Sequence, residues 1–451
     1  MRTYKACCFL LALLIVVACK KEEKVNYIIL SGKIENLTEN NLYIGDRFYK
    51  PLVTLNIQKD GTFKDTLYLP KGYYTLNFGQ EYTNLFLRPG AHISLSADLK
   101  NLDQSLSYTG KGAPENNYLS EKIRLSEGFN MMNYWYYYKD LEEKAFLTIT
   151  DSINKAKQDL LKSQKNINKE FVIIETKANE FEKLTKYYYY SDRLKENGGT
   201  LSKSFPEPFN NVNVNNEKLL LHPEYLNYIT NYLGEKSLKT KNQITDKHFA
   251  FIKTVDKAVT NKEIKQQLLY SIGRLHLDKI QELDSAYAIL DKALINKNYK
   301  KEVTAKYESI KRTAKGKPTP GFQFLSSEGD SLSLNDLKGK LVYIDIWATW
   351  CVPCMRELPS LKKMKEHFKE EDLAIVSICT WDEQEKWKKM MSRKKMDGLQ
   401  LFTEHENKFF DFFLVYGVPR FILLDKNGKI IDAHAKKPSQ PELWEEIKQY
   451  L

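Results

Sequence analysis

Hydrophobic and polar positions follow three different rhythms along the chain. Up to about Tyr108, apolar positions come in short runs rich in β-branched and aromatic residues. They are Tyr27-Ile28-Ile29-Leu30, Leu42-Tyr43-Ile44, Val53-Thr54-Leu55-Asn56-Ile57 and Tyr73-Tyr74-Thr75-Leu76-Asn77-Phe78. Runs of this kind predict strands. Lys59-Asp60-Gly61-Thr62 carries a hairpin-type Asp-Gly turn, and Pro70-Lys71-Gly72 and Arg88-Pro89-Gly90 are further turn signals. A small β-sandwich over residues 26–112 is the expectation. His92, alone in one strand, reads as structural.

From Pro114 to Arg312 the strand signals thin out, and helix-forming Leu, Lys, Glu, Gln and Ala dominate. Ile280, Leu283, Tyr287, Leu290 and Leu294 recur in steps of three and four, which is one helix face. Leu219-Leu220-Leu221 and the set Leu226, Ile229 and Leu233 predict more helix, broken near His222-Pro223. The Asn-rich stretch Phe209 to Asn216 reads as a loop. A helical region over residues 113–314 follows. Its two aromatic runs, Tyr134-Trp135-Tyr136-Tyr137-Tyr138 and Tyr187-Tyr188-Tyr189-Tyr190, fit inter-helix and inter-domain packing better than a substrate or partner surface.

Lys315 to Gly321 is a linker by composition, and strand and helix patterns then alternate to residue 451, the mark of an α/β sheet. Leu341–Trp347 is a continuous apolar strand apart from Asp345. Cys354 to Phe368 places Leu358, Leu361, Met364 and Phe368 near helical spacing. Leu373 to Ile378 is a second buried strand, Gln384 to Met391 a helix, and Pro441 to Leu451 a closing helix. Phe421-Ile422-Leu423-Leu424 pairs with Lys429-Ile430-Ile431 through an Asn427-Gly428 turn.

The length of 451 residues suits two or three domains, each able to bury a core without disulfide staples. Residues 1–18 are not read as fold. Arg2 and Lys5 form a basic n-region, and Cys8 to Val17 is an apolar h-region too short to span a bilayer. Val16-Val17-Ala18-Cys19 resembles the bacterial lipobox, which implies removal of residues 1–18 as a signal peptide and acylation of Cys19. The other reading is an ordinary secretory signal with a chance cysteine. Residues 19–25 form a charged tether. Its Lys20-Lys21-Glu22-Glu23-Lys24 resembles the export signals of surface lipoproteins in Bacteroidetes.

The net charge of +11 is spread as Lys among many Glu and Asp, without long single-sign blocks. No basic–aromatic groove motif accompanies it, so nucleic acid is not an expected partner. Of six cysteines, Cys7 and Cys8 leave with the signal and Cys19 carries lipid, so the mature body keeps Cys351, Cys354 and Cys379. An exported chain with so few cysteines is no disulfide scaffold.

That focuses the chemistry on Trp350-Cys351-Val352-Pro353-Cys354, where a strand pattern gives way to a helix pattern. Two cysteines three apart can close and reopen a small disulfide ring. The same spacing serves zinc, but zinc needs four ligands, and no histidine cluster joins Cys379 to complete the set. No metal or cofactor is expected. At a helix N-terminus the free N–H groups and the macrodipole favour a Cys351 thiolate. Cys379, in an apolar strand, reads as a buried inert thiol.

Gly339-Lys340, the run Asp345 to Cys354, Glu357-Leu358-Pro359 and Tyr416-Gly417-Val418-Pro419 together resemble a thioredoxin-fold domain of the TlpA/ResA-like thiol–disulfide oxidoreductases. The resemblance covers roughly residues 316–451. Asp60-Gly61-Thr62-Phe63, Leu85 to Gly90 and Thr109-Gly110-Lys111-Gly112 resemble a β-rich domain that precedes such domains in Bacteroidetes lipoproteins. The implied architecture is multidomain: an N-terminal β-sandwich, a middle α-helical region and a C-terminal α/β thioredoxin-like fold over residues 315–451.

The family reading makes Cys351 the exposed nucleophile and Cys354 the more buried resolving thiol. It makes Val418-Pro419 a cis-proline segment that, with Trp350, faces the substrate. Arg420 stands where many relatives carry Thr, which implies a different polarity on the substrate side. Two carboxylates compete for proton handling. Asp345 holds the position of the buried acid in thioredoxins, while Glu357 matches an acid of TlpA/ResA-like domains and reads equally as a helix-surface charge. Burial would raise either pKa toward a useful range.

The resemblance implies a lipid-anchored, periplasm-facing disulfide reductase acting on protein disulfides and fed by a membrane electron donor of the DsbD/CcdA type. A thiol peroxidase is a rival, but it needs Thr three residues before the nucleophile, where Ala348 stands. The rival of another class is a ligand-binding lipoprotein in which the redox domain is ancillary.

Overall fold

Period-two alternation turns directly into a two-faced strand in the first hundred residues. In β7 (His92–Asp98), Ile93, Leu95 and Ala97 are buried while His92, Ser94 and Ser96 are exposed. The computed structural model describes residues 25–37, 42–79, 81–126, 141–239, 246–396, 398–403 and 408–451. The expected signal peptide, Cys19, the charged tether up to Lys24 and the Tyr134–Tyr138 run lie outside the described residues. The chain divides into two compact units, Met1–Tyr232 and Leu233–Leu451. The stretch expected as one helical region is shared between them.

The first unit holds β1 (Ile28–Glu35), β2 (Leu42–Gly45), β3 (Pro51–Thr54), β4 (Thr62–Leu67), β5 (Gly72–Phe78), β6 (Glu81–Leu87), β7 and β8 (Ser107–Lys111). They form two four-stranded sheets, β4-β1-β7-β8 and β3-β2-β5-β6. Leu30, Ile44, Leu76, Leu85 and Leu95 lie in the core that the two sheets share. The Asp60-Gly61 turn needs its glycine. Gly61 has φ +81°, and a Cβ there would lie 2.2 Å from the Ile34 carbonyl oxygen.

Helices α1 (Leu102–Ser105), α2 (Ala113–Arg124), α3 (Glu143–Ser163), α4 (Lys169–Glu196) and the start of α5 (Pro223–Lys239) complete this unit. Buried Asn116 ties α2 to β6 by accepting from Phe86 N at 2.8 Å and donating to Phe86 O at 3.0 Å. The Tyr187–Tyr190 run lies on α4 and packs between helices. Tyr190 stacks on Phe146 at 4.1 Å, and the Tyr187 hydroxyl donates to Asp151 at 2.6 Å.

In the second unit the helices α6 (Lys247–Ala258), α7 (Lys262–His276), α8 (Leu283–Ala293) and α9 (Lys297–Arg312) come first. Asp246, Asn261 and Asn296 cap the N-termini of α6, α7 and α9 by accepting from backbone N–H groups. The periodic set from Ile280 to Leu294 is longer than the helix it marks. Ile280 and Leu294 flank α8 in extended conformations, yet both are buried, so the apolar spacing runs on past the helix ends.

The strands of this unit are β9 (Gln323–Ser326), β10 (Ser331–Ser333), β11 (Leu341–Trp347), β12 (Leu373–Cys379), β13 (Leu399–Phe402), β14 (Arg420–Leu424) and β15 (Ile430–Asp432). Their order in one sheet is β10-β9-β13-β12-β11-β14-β15. β11 pairs parallel with β12 and antiparallel with β14, and all seven of its residues are buried. That is why it reads as an unbroken apolar run. The remaining helices are α10 (Val352–His367), α11 (Gln384–Lys394), α12 (Lys408–Phe413) and α13 (Pro441–Tyr450).

The two faces of β11 enter two cores. Val342, Ile344 and Ile346 join Phe409 and Phe413 of α12, whereas Leu341 and Tyr343 join Leu361 and Met364 of α10 and Leu443 and Ile447 of α13. The thioredoxin-like fold expected from the sequence is the fold of this part of the chain.

Candidate active site

The site lies where β11 ends and α10 begins. After Trp347 the chain turns through Ala348-Thr349-Trp350, and Cys351 becomes the N-cap of α10. Pro353 falls in the first turn, where a missing N–H costs no helical bond. Cys351 and Cys354 form a disulfide with their Cα atoms 5.3 Å apart. The Cys351 sulfur accepts a hydrogen bond from the Cys354 backbone N–H at 3.1 Å. This places it at the positive end of the α10 dipole, where a thiolate gains most.

The expectation of an exposed Cys351 needs correcting. In the disulfide, Cys351 is 2% and Cys354 6% exposed, so exposure does not separate them. Both belong to one apolar cluster with Trp347, Ala348, Cys379, Trp387 and Phe402, against which Val418 packs. What distinguishes the two sulfurs is the helix terminus. Beside the cysteines in sequence, Trp350 is 59% and Val352 60% exposed, and farther along the chain Tyr416 is 76% exposed. Tyr416 opens the segment to Pro419, whose peptide bond with Val418 is cis.

Asp345 is buried on the face of β11 that looks toward α10, in register with Ser377 of β12. Burial pushes its carboxyl up to about 7, Glu357 adds to the rise, and the Ser377 hydroxyl, at 3.4 Å, opposes it. Glu357 is half-buried, and its carboxylate accepts from the backbone N–H and the hydroxyl of Ser439, both at 3.0 Å. Its hydrogen bonds thus tie α10 to the turn before α13.

The guanidinium of Arg420 is held by backbone. Nε and Nη2 both donate to the Ala433 carbonyl, at 3.0 and 2.7 Å, and burial lowers its pKa to about 10. A half-buried guanidinium needs such acceptors, and the carbonyl lies just beyond β15.

Residues that the sequence reading passed over hold the active-site loop from the side. Asp382 accepts from Thr349 N at 2.6 Å, the Trp350 indole N–H donates to Trp381 O at 2.9 Å, and Thr380 N donates to Trp347 O at 3.0 Å. Trp381 takes a left-handed φ of +52° to present that carbonyl. A signal for them did exist. Adjacent parallel strands end at the same sheet edge, so residues after β12 must neighbour those after β11. Cys379 is fully buried. Burial, then Asp382 and Asp345, push its thiol far above the ordinary range, which suits an inert thiol.

Comparison with known proteins points to the same part of the chain. Residues 314–449 match the Redoxin family. The thiol-disulfide oxidoreductase ResA of a Bacillus cereus strain is 31% identical over 117 residues, covering 26% of this chain and 67% of the relative. ResA of Bacillus thuringiensis subsp. konkukian is 31% identical over 136 residues, covering 30% of this chain and 76% of the relative. Among solved structures, the thioredoxin domain of a thiol-disulfide oxidoreductase from Bacteroides vulgatus is 29% identical. It covers 30% of this chain and 97% of that one, with a TM-score of 0.28. Through its C-terminal Redoxin domain, this chain belongs to the thiol–disulfide oxidoreductase family.

Proposed function

We propose that the protein is a lipid-anchored reductase of protein disulfides in the cell envelope, working through Cys351 and Cys354. The observation that carries the assignment of roles is the hydrogen bond from Cys354 N to the Cys351 sulfur at the start of α10. In the reduced enzyme the Cys351 thiolate attacks one sulfur of a substrate disulfide. A Cys351–substrate bond forms, and the other substrate sulfur leaves as a thiolate and takes up a proton. Cys354 then gives its proton to a base and attacks the Cys351 sulfur, and the second substrate thiol departs. The substrate has gained two electrons and two protons, and the enzyme holds the Cys351–Cys354 disulfide.

Asp345 is the base in this reading, since a carboxyl near pKa 7 can both take and return a proton at neutral pH. Glu357 serves the same end indirectly, by adding to the rise at Asp345. Trp350, Val418 and Pro419 supply the docking surface, with backbone beside Pro419 open to strand-like pairing. A membrane electron donor of the DsbD/CcdA type would reset the pair, and Cys19 would hold the chain at the bilayer on the periplasmic side.

Replacing Cys351 with Ser tests the assignment. Turnover of insulin disulfides should fall to background in C351S, and undiminished turnover would refute the assignment.

A further inference from the structure

Helix α9 lies before the segment matched to the Redoxin family, yet its C-terminal turn reaches into that domain. The short helix α12 ends at Phe413, and its last carbonyls need partners outside its own ladder. Phe410 O finds one locally, accepting from Val415 N at 3.0 Å. The next two are satisfied by α9. Phe412 O accepts from the buried Ser309 hydroxyl at 2.9 Å and from Arg312 Nε at 3.0 Å. Asp411 O accepts from Arg312 Nη2. The guanidinium also lies over the Phe412 ring, 5.5 Å from its centre.

The chain then leaves α12 through Leu414, at a left-handed φ of +46°, and buried Val415, and reaches Tyr416-Gly417-Val418-Pro419. The position of α12's end therefore sets where the proline segment begins. Charged groups of α9 also bear on the tip of that segment. Desolvation first, then Glu302 and Asp411, raise the Tyr416 phenol, and Arg312 opposes them.

We propose that Arg312 and Ser309 are positioning residues, through which α9 fixes the Tyr416–Pro419 segment for polypeptide disulfides. The inference rests on the reductase reading and gives helix α9 a part in it. A polypeptide must pair along that segment before its disulfide meets Cys351, so a displaced segment costs it binding. A small aliphatic disulfide makes little use of the segment and needs only the sulfur.

The test uses the full-length reduced protein and its variants Arg312→Ala, Arg312→Lys and Ser309→Ala. Rates are measured with insulin and with bis(2-hydroxyethyl) disulfide, and the reduction potential of the Cys351–Cys354 pair is measured beside them. R312A should lower kcat/KM for insulin by about tenfold, the kinetic equivalent of about 1.4 kcal/mol. Its rate with the small disulfide and its potential should stay at the wild-type values. R312K, which keeps a cation and a donor, should recover part of the loss, and S309A should show a smaller loss of the same kind.

If R312A does not fold, R312K and S309A carry the same comparison. Equal losses with both substrates, a shifted potential, or no loss with insulin would overturn the proposal. A wild-type protein that turns over neither disulfide would instead refute the reductase reading itself.

Discussion

Asp345, the proposed base, is the residue through which one protonation would bear on both stability and chemistry. Its folded-state pKa near 7 lies above the unfolded value near 3.8, so the native state holds the proton more tightly. Stability conferred by the neutral carboxyl is fully present below the unfolded pKa and is lost as pH rises from about 4 to about 7. Asp345→Asn cannot ionise and keeps a polar partner for Ser377. Above pH 7 the oxidised variant should therefore be more stable than wild type by about 2–4 kcal/mol, read from denaturant midpoints across pH. The same substitution removes the proposed base. Stopped-flow measurement should find resolution of the mixed disulfide slowed by about a hundredfold, with its formation slowed less.

Individual elements differ in how plainly the sequence announced them. β11 was legible because both its faces are buried, and α10 because the cysteine pair sits where the apolar period changes. β9, β10 and β13 have four, three and four residues, too few for a periodic signal to rise above chance. The six residues of α12 are mostly phenylalanine, which marks burial but not helix. Asp382 and Arg312 escaped for another reason. Their roles depend on which strand or helix end comes to lie beside which loop, and no local pattern records that.

The helices of the first unit hide a comparable case in the buried carboxylate of Glu175. It accepts from the Tyr73 hydroxyl at 2.7 Å and lies 3.0 Å from Lys122 and 2.9 Å from His222. Burial works against its charge, but Lys122 and His222 outweigh it and hold its pKa well below the carboxylate range. With a depressed folded pKa, its contribution is present above the unfolded value near 4.5 and fades as pH falls through the folded one. Glu175→Ala should cost about 3–5 kcal/mol at pH 7, because Lys122 and His222 lose their buried partner. The midpoint of the transition that unfolds the N-terminal unit checks this, and the deficit should shrink in acid.

At the scale of the whole molecule, the proposed anchor at Cys19 and the cysteine pair at Cys351 and Cys354 are more than three hundred residues apart. The anchor is testable by itself. Cys19→Ala should move the protein from the membrane fraction to the soluble one, and unchanged membrane association would count against lipidation at that position. Such a result would leave the redox chemistry untouched, since it resides in the Redoxin domain. The direction of electron flow is the central claim, and the reduction potential of the Cys351–Cys354 pair tests it most directly. A reductase predicts a value near or below that of thioredoxin, about −270 mV, whereas a value near about −120 mV, typical of a strong oxidant, would contradict the assignment.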